Sequence, residues 1–595
     1  MGPCCGLSKR GEMRILLLHP EDSFGGPWME QGWDWIVDLG RAPKSFYEEW
    51  SGRLECRVSS LYDYAHEVED LRSWVDLFAL GMGQVVDRFG VDWWDVIGLS
   101  LQSDMQDIRL VLRLAEELKG CRKLVVSRPS LLAQAAELRL GTPLKVLQTE
   151  RRDKFRVRAA RYRTAFTDLS WRQLQQVAQD KFDPHYFWRR KFVATAKRSS
   201  EPVVLLPSAY SNVTKTGLRY ARLLPGQRFL LVLARESRAP AQLPGNVHCA
   251  PLAAFAGGRW DSAEFLELDK SWMGLKRSLG EHPALGAAAQ LGLLERGSRL
   301  LRWGVSIRNA WNRVFETRPV TACLSADDSN PYTRIPLILA KRRGTPAIAC
   351  HHGALDCRMA FKVPEFSSYL AQGEMESDYV ERICRVDSGN VRIGAAHSAR
   401  ERGHLWRGES PWIVFFTEPY ESDYWRAEAM YREIVPRLCT VARRLGKTVV
   451  LKLHPFETAK QRRRLVREIL GEDERRLTRI VASPISEEIL RNTWCALTVE
   501  STVACECAAA GIPVFLFGWL RHAYAGYAAQ YARFGVGRIL EKADDLLRIP
   551  EMTSEFVSDP NIESRLRQPI SAYALAEVLS KQGGHLEKSL RCGSD

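Results

Sequence analysis

Short apolar runs alternate along most of the chain with longer stretches of helical periodicity. That alternation predicts an α/β protein built on parallel sheets. In the first block, strands are predicted at Arg14–His19, Cys56–Leu61, Val96–Leu101, Lys123–Ser127 and Leu144–Gln148, with a helix over Gln106–Lys119. Residues 1–150 then read as an N-terminal Rossmann-like domain. A second block, 201–408, carries predicted strands at Val203–Leu206, Arg228–Ala234, Val320–Ser325, Ala347–His351, Tyr369–Ala371 and Val391–Gly394. Its first strand leads into a loop, Pro207 to Asn212, and a helix toward Arg222; Ser262–Glu316 is mostly helical, and the polar segment His397–Ser410 links to the next block.

The third block, 409–550, has the clearest doubly wound pattern. Predicted strands are Trp412–Thr417, Thr448–Leu453, Arg479–Ala482, Ala496–Thr498 and Val514–Phe517, and helices span Asp423–Leu445, Thr458–Leu470, Glu487–Asn492 and Val503–Ala510. Residues 551–595 read as a peripheral helix and a tail.

Composition bounds what these blocks do. A chain of 595 residues is too long for one core, and with 45% hydrophobic and 26% charged residues it has material for several. The 85 Lys and Arg against 71 Asp and Glu leave a charge of +14, so nucleic acid, an anionic membrane surface and a phosphorylated small molecule are the partner classes to weigh. Fourteen cysteines without a C-x-x-C pair read as reduced core residues rather than zinc ligands or disulfides. No apolar run approaches the ~18 residues of a spanning helix. A secretory signal is not supported, the Met1–Gly6 segment lacks the Ser or Thr that myristoylation needs, and Met13 is an alternative start. The expected location is cytoplasmic, with peripheral contact at the inner face of the plasma membrane.

Residues 151–200 form a basic helical connector, with Arg151, Arg152, Lys154, Arg156, Arg158, Arg161 and Arg163 close together. A solvated connector and a patch for anionic lipid or a charged acceptor are both open readings. Nucleic acid is the least favoured, since aromatic residues accompany the charge but no nucleic-acid motif does.

Candidate chemistry falls just past strand ends, where open parallel sheets bind ligands. The predicted strand ending at Leu453 is stopped by His454-Pro455, which turns an imidazole toward the sheet edge, where it can donate to phosphate oxygen. After Thr498 come Glu500-Ser501-Thr502, then a short helix ended by Gly511; the two hydroxyls and the free N–H groups make an anion site, and Glu506 one turn on can accept from ribose hydroxyls. In the second block, Asp327-Asp328 and His351-His352-Gly353 end consecutive strands. One of them can serve as general base, with His352 preferred, and an aspartate capping the following helix is the alternative for that pair.

The His-Pro turn followed by a Ser-Thr helix start closing in Gly511-Ile512-Pro513 resembles the nucleotide-binding domain of GT-B glycosyltransferases of bacterial surface polysaccharides. The nearest in pattern are the CDP-glycerol glycerophosphotransferases, capsule Kdo transferases and bacterial sialyltransferases. The resemblance covers about residues 320–550. It implies a GT-B-like pair of doubly wound Rossmann-like domains facing a cleft, with an additional N-terminal α/β domain. It implies donor-phosphate binding by His454, Ser501 and Thr502, and nucleotide contacts from Glu506, Pro455 and Glu418. His352-Gly353 is similar to a glycerophosphotransferase His-Gly turn that supplies the base. Asp327-Asp328 is similar to a sialyltransferase acidic motif, except that Ser329 stands where that motif has glycine. The same stretch also resembles the non-hydrolysing UDP-sugar 2-epimerases.

The activity implied is inverting transfer of a glycosyl or glycerophosphoryl group from a nucleotide-sugar or CDP/CMP-type donor to a saccharide or lipid-linked hydroxyl acceptor. No cofactor or metal is expected beyond the donor itself, as no Asp-x-Asp motif is evident. A UDP-sugar 2-epimerase and a non-catalytic nucleotide-binding scaffold are the alternatives.

Overall fold

A computed structural model describes residues 13–26, 29, 31–119, 123–147, 193–235, 240–257, 262–327, 329–362, 368–396, 405–420, 424–520 and 525–580. Three separate sheets carry the chain, and every strand pair in them is parallel. The first sheet comprises β1 (Arg14–Leu18), β2 (Trp35–Asp38), β3 (Arg57–Ser60), β4 (Lys123–Val126) and β5 (Lys145–Val146), in the order β3-β2-β1-β4-β5. The second comprises β6 (Val203–Ser208), β7 (Phe229–Leu233), β8 (Val247–Pro251), β9 (Val320–Ser325), β10 (Ala347–Cys350), β11 (Ser368–Ala371) and β12 (Val391–Ile393), in the order β12-β11-β10-β9-β6-β7-β8. The third comprises β13 (Trp412–Phe416), β14 (Thr448–Lys452), β15 (Thr478–Val481), β16 (Thr493–Thr498), β17 (Val514–Phe517) and β18 (Arg538–Leu540), in the order β15-β14-β13-β16-β17-β18.

Each sheet runs outward from its first strand to one edge, returns, and runs to the other. This is double winding, and the reversal marks a topological switch point at β1/β4, β6/β9 and β13/β16. The central strands are buried along their whole length, as in β6 and β16, because helices cover both faces. The second and third domains are therefore a GT-B-like pair of Rossmann-like units, preceded by an additional α/β domain.

Several predicted elements differ. Val96–Leu101 is not a strand but part of a 25-residue helix, Trp93–Glu117, started by Asp92, whose carboxylate accepts from the Trp94 N–H at 3.0 Å. Trp93, Trp94, Val96, Ile97, Leu99 and Leu101 are all buried, so no polar face reveals the helical period. The short strand β2 and the edge strands β8 and β18 were not predicted. Pro207 and Ser208 belong to β6 rather than to a loop, and β10 ends before His351. The helix Ala572–Ser580 is not peripheral: Leu575, Val578 and Leu579 pack with Val204, Leu206 and Ala322 in the core of the second domain. The approach to it is stitched in by backbone bonds from Gln568 N–H to Gln372 C=O (2.7 Å) and from Ala395 N–H to Gln568 C=O (2.8 Å). A Cβ at Gly373 would stand 2.4 Å from the Arg565 carbonyl oxygen, so only glycine lets this segment pass. Most of the basic connector (151–192), residues 397–404 of the predicted linker and the tail from 581 lie outside the described residues.

The N-terminal domain is bolted to both lobes of the pair. Arg334 holds Asp95 through Nε–Oδ2 (3.0 Å) and Nη2–Oδ2 (2.6 Å), with both side chains at most 1% exposed. Arg308 joins Asp87 (2.6 Å) to Glu264 (2.8 Å). On the other side Arg426 pairs with Asp38 at 2.6 and 2.8 Å, and Arg41 N–H donates to the Tyr424 carbonyl at 2.9 Å. The first sheet's own switch point is closed by His19 N–H donating to Ser127 Oγ (2.8 Å) and by Arg128 pairing with Asp22 and Glu21. The space left there is about 70 Å³, well below the few hundred Å³ of a typical ligand site.

Candidate active-site cleft

The switch points of the second and third sheets remain equipped with polar side chains, and residues past β10 and past β16 line one cleft of about 520 Å³. His352, Gly353 and Gln372 come from the second domain; Thr502, Cys505 and Glu506 come from the third.

At the β6/β9 switch point Tyr210 leaves the end of β6 in extended backbone and caps the sheet edge. Its hydroxyl donates to Asp327 Oδ2 at 2.6 Å, just past β9. Asp327 also accepts from Ser329 N–H (2.8 Å) and Asn330 Nδ2 (3.2 Å) and is buried. The Tyr210 oxygen lies 3.3 and 3.4 Å from the two ring nitrogens of His352, and the rings meet edge to face at 5.1 Å. The result is a chain from Asp327 through Tyr210 to the half-buried His352.

The charges follow from burial and from one lysine. Burial holds the His352 imidazole below its ordinary value, against the pull of Asp327, so it is neutral at pH 7. Burial, together with the Asp327 carboxylate, pushes the Tyr210 phenol far up, so it stays a donor. Burial opposes ionisation of Asp327, but the Lys362 ammonium and the Tyr210 hydroxyl outweigh it and hold the carboxyl below the usual range. Asp356 is held lower still: burial again opposes, and Lys362, 3.0 Å away, wins with Arg358. Ser329 Oγ links Lys362 Nζ to Asp356, both at 3.1 Å.

His351 is driven down to about 4 by burial, and its Nδ1 has no hydrogen-bond partner. A Cβ at Gly353 would stand 2.9 Å from the His351 ring and 3.7 Å from Thr502 Cγ2. Glycine at 353 thus leaves room for the His351 ring, while the Thr502 loop of the other lobe lies at ordinary contact distance. Behind it, Glu376 accepts from the Tyr369 hydroxyl (2.5 Å) and Gln372 N–H (2.7 Å); burial raises its carboxyl to about 8.

At the β13/β16 switch point Glu418 Oε1 accepts from Thr498 Oγ1 and Glu500 N–H, both at 3.0 Å, and so shapes the loop that presents Ser501 and Thr502. Ser501 N–H donates to Thr498 Oγ1 at 3.3 Å. The helix that follows, Val503–Ala509, has only seven residues, and the Thr502 hydroxyl makes no cap bond to it. Two strands away, His454 Nδ1 accepts from Phe456 N–H at 3.3 Å, which leaves Nε2 as the N–H. Burial and then Lys452 lower its pKa, so this imidazole is also neutral.

Of the residues singled out in the sequence, His352, Thr502 and Glu506 meet in the cleft lining; His454, Pro455, Ser501, Glu418 and Asp327 do not line it. Asp327 as a base facing the acceptor is corrected by its burial and its three donors. Helix capping is not its role either, since Asn330 caps the helix Pro331–Arg342 by accepting from Tyr332 N–H at 3.1 Å. Asp328 lies outside the described residues. Sequence reasoning missed Tyr210, Asp356 and Lys362 around the histidines, and Arg219, Arg222 and Arg567 in the cleft lining. Tyr210 lies just past the first strand of its sheet, a signal that was available; the others are set by tertiary packing. Among the described residues no group of three or more His, Cys, Asp or Glu is placed to hold a metal ion, and no helix is long and apolar enough to cross a membrane.

No protein-family model and no curated protein sequence matches the chain. Solved structures similar to it include the UDP-GlcNAc 2-epimerase of Methanocaldococcus jannaschii (11% identity, 66% of this chain and 99% of that one, TM-score 0.35). The calicheamicin glycosyltransferase CalG4 is similar over 67% of this chain and 98% of its own (13% identity, TM-score 0.37). A variant of the wall teichoic acid polymerase TagF is similar over 72% and 99% (11% identity, TM-score 0.33).

Proposed function

We propose that the protein is an inverting transferase that moves a glycosyl or glycerophosphoryl group from a nucleotide-activated donor to a hydroxyl acceptor. The observation that carries this reading is the neutral His352, held by Tyr210 and Asp327, in one cleft with Thr502 and Glu506 of the facing lobe. A neutral imidazole can accept a proton at pH 7, which an imidazolium cannot.

In the proposed step the acceptor oxygen forms its new bond to the donor's carbon or phosphorus while the donor's bond to its nucleotide phosphate breaks. The acceptor proton passes to His352. The imidazolium so formed is stabilised by the Asp327 charge, transmitted through the Tyr210 hydroxyl. Thr502, with Ser501 and His454 Nε2–H on the same sheet edge, takes the negative charge that develops on the leaving phosphate. Glu506 accepts from ribose hydroxyls, and Glu418 acts through the loop it shapes. One base opposite one leaving group gives inversion.

A thermal-shift screen of CMP, CDP, UDP, GDP and their sugars identifies the donor. A ligand at 100 times its Kd stabilises by about 2.7 kcal/mol. No shift with any nucleotide would sink the proposal, and conversion of the bound sugar without an acceptor would move the assignment to an epimerase.

A further inference from the structure

Three arginines line the same cleft as His352. Arg219 and Arg222 stand three residues apart on the helix Ser211–Leu223 and so share a face, and Arg567 follows the helix Ile562–Leu566. Several exposed helical arginines elsewhere pair with glutamates one turn away: Arg432 with Glu428, Arg464 with Glu468, Arg476 with Glu472, Arg491 with Glu487. Arg222 and Arg567 share the cleft with Glu506 and Glu563, yet no side-chain bond or ion pair among the described residues joins any of these four. With Glu376 raised to about 8 and so largely uncharged, cations outnumber carboxylates in the lining.

Position decides what such cations can hold. Arg219 and Arg222 belong to the second domain, and Arg567 adjoins the segment sewn to that domain through Gln568 and Gln372. Arg219 and Arg222 are therefore across the cleft from Thr502, whereas Arg567 stands beside the helix that follows Thr502, near enough for its charge to act on Cys505. At 1.5 Å per residue, Arg219 and Arg222 lie roughly 14 to 18 Å along the helix axis from Tyr210, the residue that holds His352. A leaving phosphate must lie at the reacting centre, so this spacing places Arg219 and Arg222 for a charge carried beyond it.

We infer that Arg219 and Arg222, with Arg567 lining the same cleft beside the Thr502 helix, form an acceptor subsite for an oxyanion, a phosphate or a carboxylate, carried away from the reacting hydroxyl. The inference rests on reading the cleft as a transferase site, but its binding step does not. An extended acceptor with a charge beyond its first unit fits the span; a small neutral alcohol leaves the arginines unused.

The test is calorimetric titration of the full chain with tripolyphosphate and, separately, citrate. The Arg222→Ala/Arg567→Ala double variant should weaken binding of at least one probe tenfold or more, whereas Arg463→Ala, on the exposed face of the helix Ala459–Ile469, should change it less than twofold. Preference for tripolyphosphate identifies a phosphate-bearing acceptor, and preference for citrate a carboxylate-bearing one. An equal loss in Arg463→Ala, or a loss in Thr502→Ala with none in the arginine variant, overturns the subsite, as does failure of both probes to bind. If the arginine variant loses the probe while His352→Ala retains turnover, the transferase reading fails and the subsite stands.

Discussion

Tyr210 donates its phenolic proton to Asp327 across 2.6 Å, from the end of β6 to the end of β9, although 117 residues separate them in the chain. Because these strands flank the switch point of the second sheet, the pair sits where an α/β sheet presents ligands. The carboxylate is thereby spent on the tyrosine and the tyrosine on His352.

On the proposed mechanism Tyr210→Phe should lower kcat at least tenfold, about 1.4 kcal/mol of barrier, with little change in the KM of either substrate. Asp327→Asn should do more than lower the rate. Asp327 raises the His352 pKa, so removing its charge should move the acid limb of the kcat/KM profile to lower pH. An unmoved acid limb in Asp327→Asn would show that the carboxylate serves only the fold.

His454 is already neutral at pH 7, and its Nε2–H is its donor. Nucleotide affinity should then fall about tenfold in His454→Ala and stay flat from pH 7 to pH 9 in the unmodified protein. Titration calorimetry at both values checks this, and an affinity that drops across that interval would assign the contact to a cationic imidazole instead.

The third domain was nearly all legible because its strands are unbroken Val, Leu, Ile and Phe runs between clearly amphipathic helices such as Ala427–Leu445. The first was less so: burial around the helix Trp93–Glu117 erased the polar face that distinguishes helix from strand, and β2 is only four residues long. At the site, the His352-Gly353 turn and the Thr502 loop were readable from strand ends. The partners that set their chemistry were not. Asp356 and Lys362 reach the histidines only through the fold of the loop after β10, and Arg567 reaches the cleft only because the chain returns to the second domain after leaving the third.

The Asp95–Arg334 pair joins the N-terminal domain to the second domain with both side chains buried. Arg334→Ala leaves a buried carboxylate alone and should cost about 3–5 kcal/mol in urea unfolding. The double variant Asp95→Leu/Arg334→Met should cost markedly less, because no charge is stranded. Equal losses would mean that packing, not charge, dominates this contact.

Glu376 predicts a pH dependence of stability. Its folded-state pKa, about 8, lies above the usual glutamate value of 4.5, so the folded state binds more protons than the unfolded state between them. Its contribution is full below about pH 4.5 and is lost as pH rises through about 8, at no more than about 1.4 kcal/mol per pH unit. Glu376→Gln, whose amide can still accept from Gln372 N–H and donate to Tyr369, should flatten the decline in Tm over that window. A decline as steep in the variant would assign it to other groups.

The central claim is tested most directly by single-turnover transfer with His352→Ala. Once the thermal-shift screen has named the donor, the variant should bind it as tightly as the unmodified protein and transfer it to acceptor at least a thousandfold more slowly, about 4 kcal/mol of barrier. Transfer within tenfold of the unmodified rate, with donor binding intact, would contradict the assignment of His352 as the base.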